Sequence, residues 1–90
     1  MTTTFGVEFM DQHPEWNVID DHHLERKWAF PDFATALDFV NRVGQICESM
    51  NHHAEFELGW GSVVIRTWSH DIDGLSERDW DLVKKIDQLE

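Results

Sequence analysis

The sequence predicts an α+β fold: a four-stranded antiparallel sheet with helices packed on one face, in the order β-β-α-β-β-α. Three observations lead there. Apolar residues recur at helical spacing over residues 33–50 and 77–89. Four shorter runs, 16–19, 22–30, 54–58 and 62–70, are strand-like in length and alternation. The strands come in pairs before each helix, an order that suits antiparallel neighbours with helices on one face.

Residues 1–13 lack periodicity and are expected to form an irregular arm, with residues 14–90 a single domain. In the second strand Leu24, Trp28 and Phe30 share a face, and Arg26 is the exception on it. Asp20 and Asp21 between the first two strands suit a turn. Pro31-Asp32 marks a helix start, with Asp32 as N-cap. From Phe33 to Met50 the apolar positions fill about half of the helical wheel, and Asp38, Asn41, Arg42, Gln45 and Ser49 fill the rest. That arc is wide for one sheet contact. Part of it is therefore expected to meet a partner subunit, through Phe39, Val43, Ile46 and Met50 at one border.

After the helix, Gly59-Trp60-Gly61 reads as the turn of a hairpin. In the strand that follows, Val63, Ile65 and Thr67 share one face, and Val64, Arg66, Trp68 and His70 the other. Ser76 is the expected N-cap of the second helix, and Asp79 stands where a capping box places its acid. Leu82, Val83, Ile86 and Leu89 form the stripe that this helix would bury.

Composition narrows the function classes. Ninety residues with 41% hydrophobic content support one modest core, which gains from association with a second copy. A net charge of −11 excludes direct binding to nucleic acid or anionic membrane, both of which select basic patches. Cys47 is the lone cysteine, so a reducing compartment fits, and no run approaches the roughly 18 apolar residues of a membrane span. With no signal-peptide pattern at residues 1–10, a cytoplasmic location is expected.

Six histidines are many for ninety residues. His13, His22 and His23 show no partner pattern and read as solvated surface. His52 and His53 at a helix end face His70 at the end of a hairpin strand, where a small sheet can gather side chains around a pocket. Asp79 falls between Ile86 and Val83 on the apolar side of its helix, where a solvated cap would point away. Glu48 lies at the border of the first helix's apolar arc. A carboxylate beside an imidazole fixes its tautomer. Three histidines and a carboxylate could also bind zinc, but adjacent side chains such as His52 and His53 diverge, so no metal is expected.

Glu48-Ser49-Met50-Asn51-His52-His53, Trp60, Trp68-Ser69-His70 and Gly74-Leu75-Ser76-Glu77-Arg78-Asp79 together resemble the signature of pterin-4a-carbinolamine dehydratases. Upstream, Pro14-Glu15-Trp16-Asn17-Val18 and Phe30-Pro31-Asp32-Phe33, with Ala36 and Phe39, extend the resemblance. Ala54 departs from the proline usual in that family after the His-His pair, and residues 1–13 look too short for its N-terminal helix.

The resemblance implies a hydro-lyase that removes water from a 4a-hydroxytetrahydropterin, recycling the pterin used by aromatic amino-acid hydroxylases. It implies a site of His52, His53, His70 and Asp79: His52 and His70 for acid–base work, His53 to orient the pterin, and Asp79 to support the histidines. Glu48 would support them too, and Trp16 and Trp60 would wall the pocket. The pterin is substrate, and no cofactor is required. The short domain and the wide apolar arc of its first helix predict, in addition, a homodimer or dimer of dimers. The alternative that the resemblance leaves is a weak or inactive dehydratase-like protein-interaction module, an assembly factor or transcriptional coactivator.

Overall fold

A computed structural model of the chain describes residues 13–89, so the expectations about an N-terminal arm and a missing N-terminal helix fall almost wholly outside the described residues. The element order is β1 (Asn17–Ile19), β2 (His23–Ala29), α1 (Phe33–Met50), β3 (Glu55–Leu58), β4 (Ser62–Thr67) and α2 (Glu77–Asp87). The strands form one antiparallel sheet in the order β1-β2-β4-β3. β4 thus separates β2 from β3, and α1 makes the connection between those two.

Local chemistry sets the elements. β1 and β2 meet through a tight turn in which Asp20 and Asp21 are both at positive φ (55° and 54°) and the His22 N–H closes on the Ile19 carbonyl at 2.9 Å; Asp tolerates positive φ better than most side chains. Asp32 begins α1 by accepting the Thr35 backbone N–H at 2.7 Å; hydrogen bonding from the Thr35 side chain first, and from this N–H second, lowers the Asp32 pKa. Asn51 ends it in the left-handed region (φ 54°, ψ 40°), its N–H reaching back to the carbonyls of Cys47 and Glu48. At the tip of the β3–β4 hairpin, Gly61 is required by close approach, because a Cβ there would sit 2.8 Å from the Phe30 carbonyl oxygen.

The core lies between one sheet face and the two helices. Leu24, Val63 and Ile65 supply the sheet side, Ala36, Phe39, Val43 and Cys47 the α1 side, and Leu82, Val83 and Ile86 the α2 side. Trp16 joins them, fully buried, with its ring edge-on to Trp28 at 5.6 Å between centroids.

Arg26, the charged exception on the inner face of β2, has a structural reason. Its guanidinium lies 4.6 Å from the centre of the Trp28 ring and donates to Asp87 at 3.0 Å. Asp87 also accepts from the Trp16 indole at 3.0 Å and the His13 ring at 2.6 Å. One carboxylate at the end of α2 therefore ties down β2 and the segment entering β1. His13 is accordingly held in this knot, with only 14% of its side chain exposed, in place of the solvated position expected for it.

Two expectations are corrected. The run 62–70 does not stay in the sheet: β4 ends at Thr67, and Ser69 pairs with Gly74 across a short loop in which Asp73 adopts a φ of 51°. On α1, Phe39 and Val43 are not a spare border but core. The apolar residues left outside are Phe33 (44% exposed) and Leu37 (39%), because α2 covers the side that the helical wheel alone left open. No helix among the described residues is long and apolar enough to cross a membrane.

Replacing Asp87 with Ala should destabilise the fold by about 1–3 kcal/mol, since it removes the carboxylate that the largely buried Arg26, Trp16 and His13 share. Chemical denaturation of wild type and variant measures this. Burial raises the pKa of the Cys47 thiol, opposed by a backbone hydrogen bond from Ala54. A raised folded pKa means that Cys47's contribution is intact below the thiol's ordinary value and fades as pH climbs through the folded one. Native protein should therefore resist thiol reagents at pH 8, and Cys47→Ala should flatten the alkaline limb of the stability curve.

Candidate active site

Three elements deliver polar side chains to one end of the core. The left-handed residue Asn51 turns the chain out of α1, and the His52 backbone N–H still reaches the Cys47 carbonyl at 3.1 Å. Beyond this turn burial alternates: His52 points inward and His53 outward. On β4 the inward row Val63, Ile65, Thr67 continues past the strand to Ser69, so an apolar row ends in two hydroxyls. The first turn of α2 then brings Asp79 against them.

Asp79 is fully buried and receives four donors, two on each oxygen. Oδ1 accepts from His52 Nε2 at 2.7 Å and the Thr67 hydroxyl at 2.7 Å. Oδ2 accepts from the Ser69 hydroxyl at 2.9 Å and the Ser76 backbone N–H at 3.0 Å. An ionised carboxylate has the acceptor capacity for all four. The Ser76 bond belongs to the capping box of α2, so the cap and the contact with a histidine are made by the same carboxylate. Because Ser69 spends its proton on Asp79, the 2.6 Å Ser69–Ser76 contact has the Ser76 hydroxyl as donor. Ser76 Oγ in turn accepts from the Arg78 side chain at 3.2 Å.

The His52 ring is therefore fixed by a buried partner. Donation from Nε2 defines its neutral tautomer, leaving Nδ1 as the ring nitrogen with a free lone pair. His52 lines a cleft of about 300 Å³ together with Asn51, His53, Trp68, His70, Asp71 and Arg78. His53, on the outer side, meets Glu48 at 2.6 Å, both exposed. The His70 ring lies 4.5 Å from that of Trp68. At the rim, Arg78 donates to Asp71 at 2.7 Å, and this hydrogen bond lowers the Asp71 pKa.

The structure thus brings His52, His53 and His70 to one cleft. Asp79 is not on its surface; it acts on the cleft through His52. Glu48 reaches it through His53 while lining a different hollow with Val40, Asn41, Gly44, Gln45 and Phe56. Neither tryptophan expected in the wall is there. Trp16 is sealed in the core by the Asp87 bond, and Trp60 stands 71% exposed at the hairpin tip. Trp68 takes the wall position instead.

Sequence reasoning also passed over Thr67, Ser69, Arg78 and Asp71. Thr67 and Ser69 carried a legible signal, two polar residues continuing an inward-facing row. Arg78 carried none beyond its place in the Gly74–Asp79 motif, and Asp71 none beyond following His70. Among the described residues, no group of three or more His, Cys, Asp or Glu side chains is placed to hold a metal ion.

Comparison with known proteins finds relatives in sequence and in fold. The sequence profile described as pterin 4 alpha carbinolamine dehydratase matches residues 4–89. A protein of Rubrobacter xylanophilus, provisionally named pterin-4-alpha-carbinolamine dehydratase, is 49% identical over 78 residues, covering 87% of this chain and 73% of that protein. One of Alkaliphilus metalliredigens with the same provisional name is 47% identical over 76 residues, covering 84% and 68%. Among solved structures, a transcriptional coactivator/pterin dehydratase from Brucella melitensis superposes with a TM-score of 0.89 at 23% identity, over 99% of this chain and 96% of that one. A pterin dehydratase-like protein described as a RuBisCO assembly factor in the alpha-carboxysome reaches 0.70 at 18% identity, over 83% and 88%. At such identities these two structures speak for the fold, while the profile and the sequence relatives speak for descent: the chain belongs to the pterin-4-alpha-carbinolamine dehydratase family.

Proposed function

We propose that this chain dehydrates a 4a-hydroxytetrahydropterin to the quinonoid dihydropterin, returning the pterin cofactor of aromatic amino-acid hydroxylases to circulation. The observation that carries the reading is the His52–Asp79 pair, an imidazole of fixed tautomer in a cleft that also holds His53 and His70. The reaction is proton transfer only. The C4a–O bond breaks as a proton reaches the departing hydroxyl, giving water. The N5–H bond breaks, and its electron pair forms the C4a=N5 double bond.

One imidazole gives a proton and another takes one, so the enzyme ends the cycle with its total proton count unchanged, and no redox partner or metal enters the balance. We assign these two roles to His52 and His70. His53, steadied by Glu48, orients the pterin, and the Trp68 ring offers a flat apolar wall for it. Asp79 and the hydroxyls behind it keep His52 in register.

The same reading makes the chain a homodimer or a dimer of dimers. Phe33, Leu37 and Val40 lie along one stripe of α1, which runs into the hollow lined by Gly44 and Phe56. A domain this small gains from covering such a stripe. That stripe also favours the second reading, a dehydratase-like interaction module in which another protein covers it and the cleft is idle. Turnover by purified protein on enzymatically generated 4a-hydroxytetrahydropterin separates the two.

His52→Ala and His70→Ala should each slow dehydration by about 10²–10⁴-fold with the fold intact by circular dichroism. Wild-type turnover in either variant removes that histidine from the chemistry. Leu37→Glu should leave a folded subunit but shift it to monomer in light scattering at micromolar concentration. Val43→Glu, which buries a charge in the core, should cost about 3–5 kcal/mol and unfold it instead. A monomeric wild type would overturn the oligomer.

A further inference from the structure

His22 closes the turn of the first hairpin and His23 opens its second strand, and the chemistry above gives them no part. They are not the solvated residues that the sequence suggests. Both are only partly exposed, and their rings lie 5.2 Å and 5.8 Å from that of Trp68, whose ring also lies 4.5 Å from that of His70 in the cleft. His22 Nε2 lies 2.8 Å from Asp73 Oδ1, and Asp73 holds the left-handed position in the loop that follows His70. His22 Nδ1 lies 3.1 Å from His23 Nδ1.

These distances fix a direction of donation. Asp73 Oδ1 accepts from His22 Nε2, so neutral His22 presents a bare Nδ1, and His23 is then the donor across the 3.1 Å contact. The order runs from His23 to His22 to Asp73. The loop's own backbone bonds, Ile72 N–H to Ser69 O at 3.2 Å and Asp73 N–H to His70 O at 3.3 Å, fix its internal shape. Its base is anchored at Ser69, whose hydroxyl bonds Asp79 and whose backbone pairs with Gly74. Beyond that base, side-chain ties hold it from both sides: Arg78 to Asp71 from α2, and His22 to Asp73 from the β1–β2 turn.

We infer that His22, through its hydrogen bond to Asp73, is a positioning residue for His70. The inference rests on the reading of His70 as an acid–base group. Magnitudes say where the effect will appear. The side chains of the pair are 30% and 87% exposed, and a contact so exposed adds little to global stability. A reacting group displaced by about 1 Å, by contrast, can cost up to about 10²-fold in rate. The clamp should therefore act on turnover and leave the melting temperature alone.

The test compares wild type, His22→Ala and His22→Gln, the last of which keeps an N–H donor near the position of Nε2. His22→Ala should lower kcat by about tenfold, with KM within about twofold and the melting temperature unchanged. His22→Gln should restore kcat to within about threefold of wild type. In proton spectra the His70 ring resonance, identified by its disappearance in His70→Ala, should shift in His22→Ala and return in His22→Gln. Wild-type kcat in His22→Ala overturns the inference, as does a loss that follows the melting temperature and is not rescued by Gln. If wild type proves inactive, the dehydratase reading fails on its own. The resonance then decides: a shift in His22→Ala sustains the clamp, and an unmoved resonance refutes it.

Discussion

A carboxylate buried with no exposure at all is costly unless its acceptor capacity is filled, and Asp79 meets that demand with four donors from three parts of the chain. The requirement dictates much else. The row on β4 must end in Thr67 and Ser69, where more valines would pack as well. The first turn of α2 must sit close enough for Ser76 to cap it. The chain leaving α1 must turn at Asn51 so that His52 arrives with Nε2 inward. Remove the carboxylate and four donors lose this acceptor at once. Breaking a buried network by one member is generally worse than never having built it.

Much of this was legible in the sequence because periodicity reports burial directly. The parity of β4 and the stripe of α2 matched the inward rows found, and Asp79 drew notice by lying on an apolar face where a simple cap need not. The misplacements share a physical cause. A helical wheel gives the width of an apolar arc but not the neighbour covering it, so Val43 was assigned to a surface that α2 in fact occupies. Trp16 matched a family position, yet its place was decided by Asp87, 71 residues away, to which its indole donates. Contacts of that kind leave no local trace. Trp60 sits at a turn, where sequence shows the bend but not whether anything lies beside it.

The two carboxylate knots sit at opposite ends of α2 and have different characters. Asp79 gathers hydroxyls, a backbone N–H and an imidazole at the first turn. Asp87 gathers Arg26, Trp16 and His13 at the last. The first leads to the cleft through His52, and the second faces the opposite end of the core and serves the fold. An eleven-residue helix is thus anchored at both ends by polar contacts, with Leu82, Val83 and Ile86 filling the interval.

The shared duty of Asp79 bears on how the family can change over time. A descendant that no longer processes pterins would still need that carboxylate to start its second helix, so selection for folding alone would preserve it. The hydroxyls of Thr67 and Ser69 and the His52 ring share that obligation, because the carboxylate they satisfy stays buried. In lineages that keep this architecture for scaffolding alone, drift should reach the exposed His53 and His70 first. The aspartate and its donors are then fossils that outlast the chemistry, and the outer histidines are the better record of whether the chemistry is still practised.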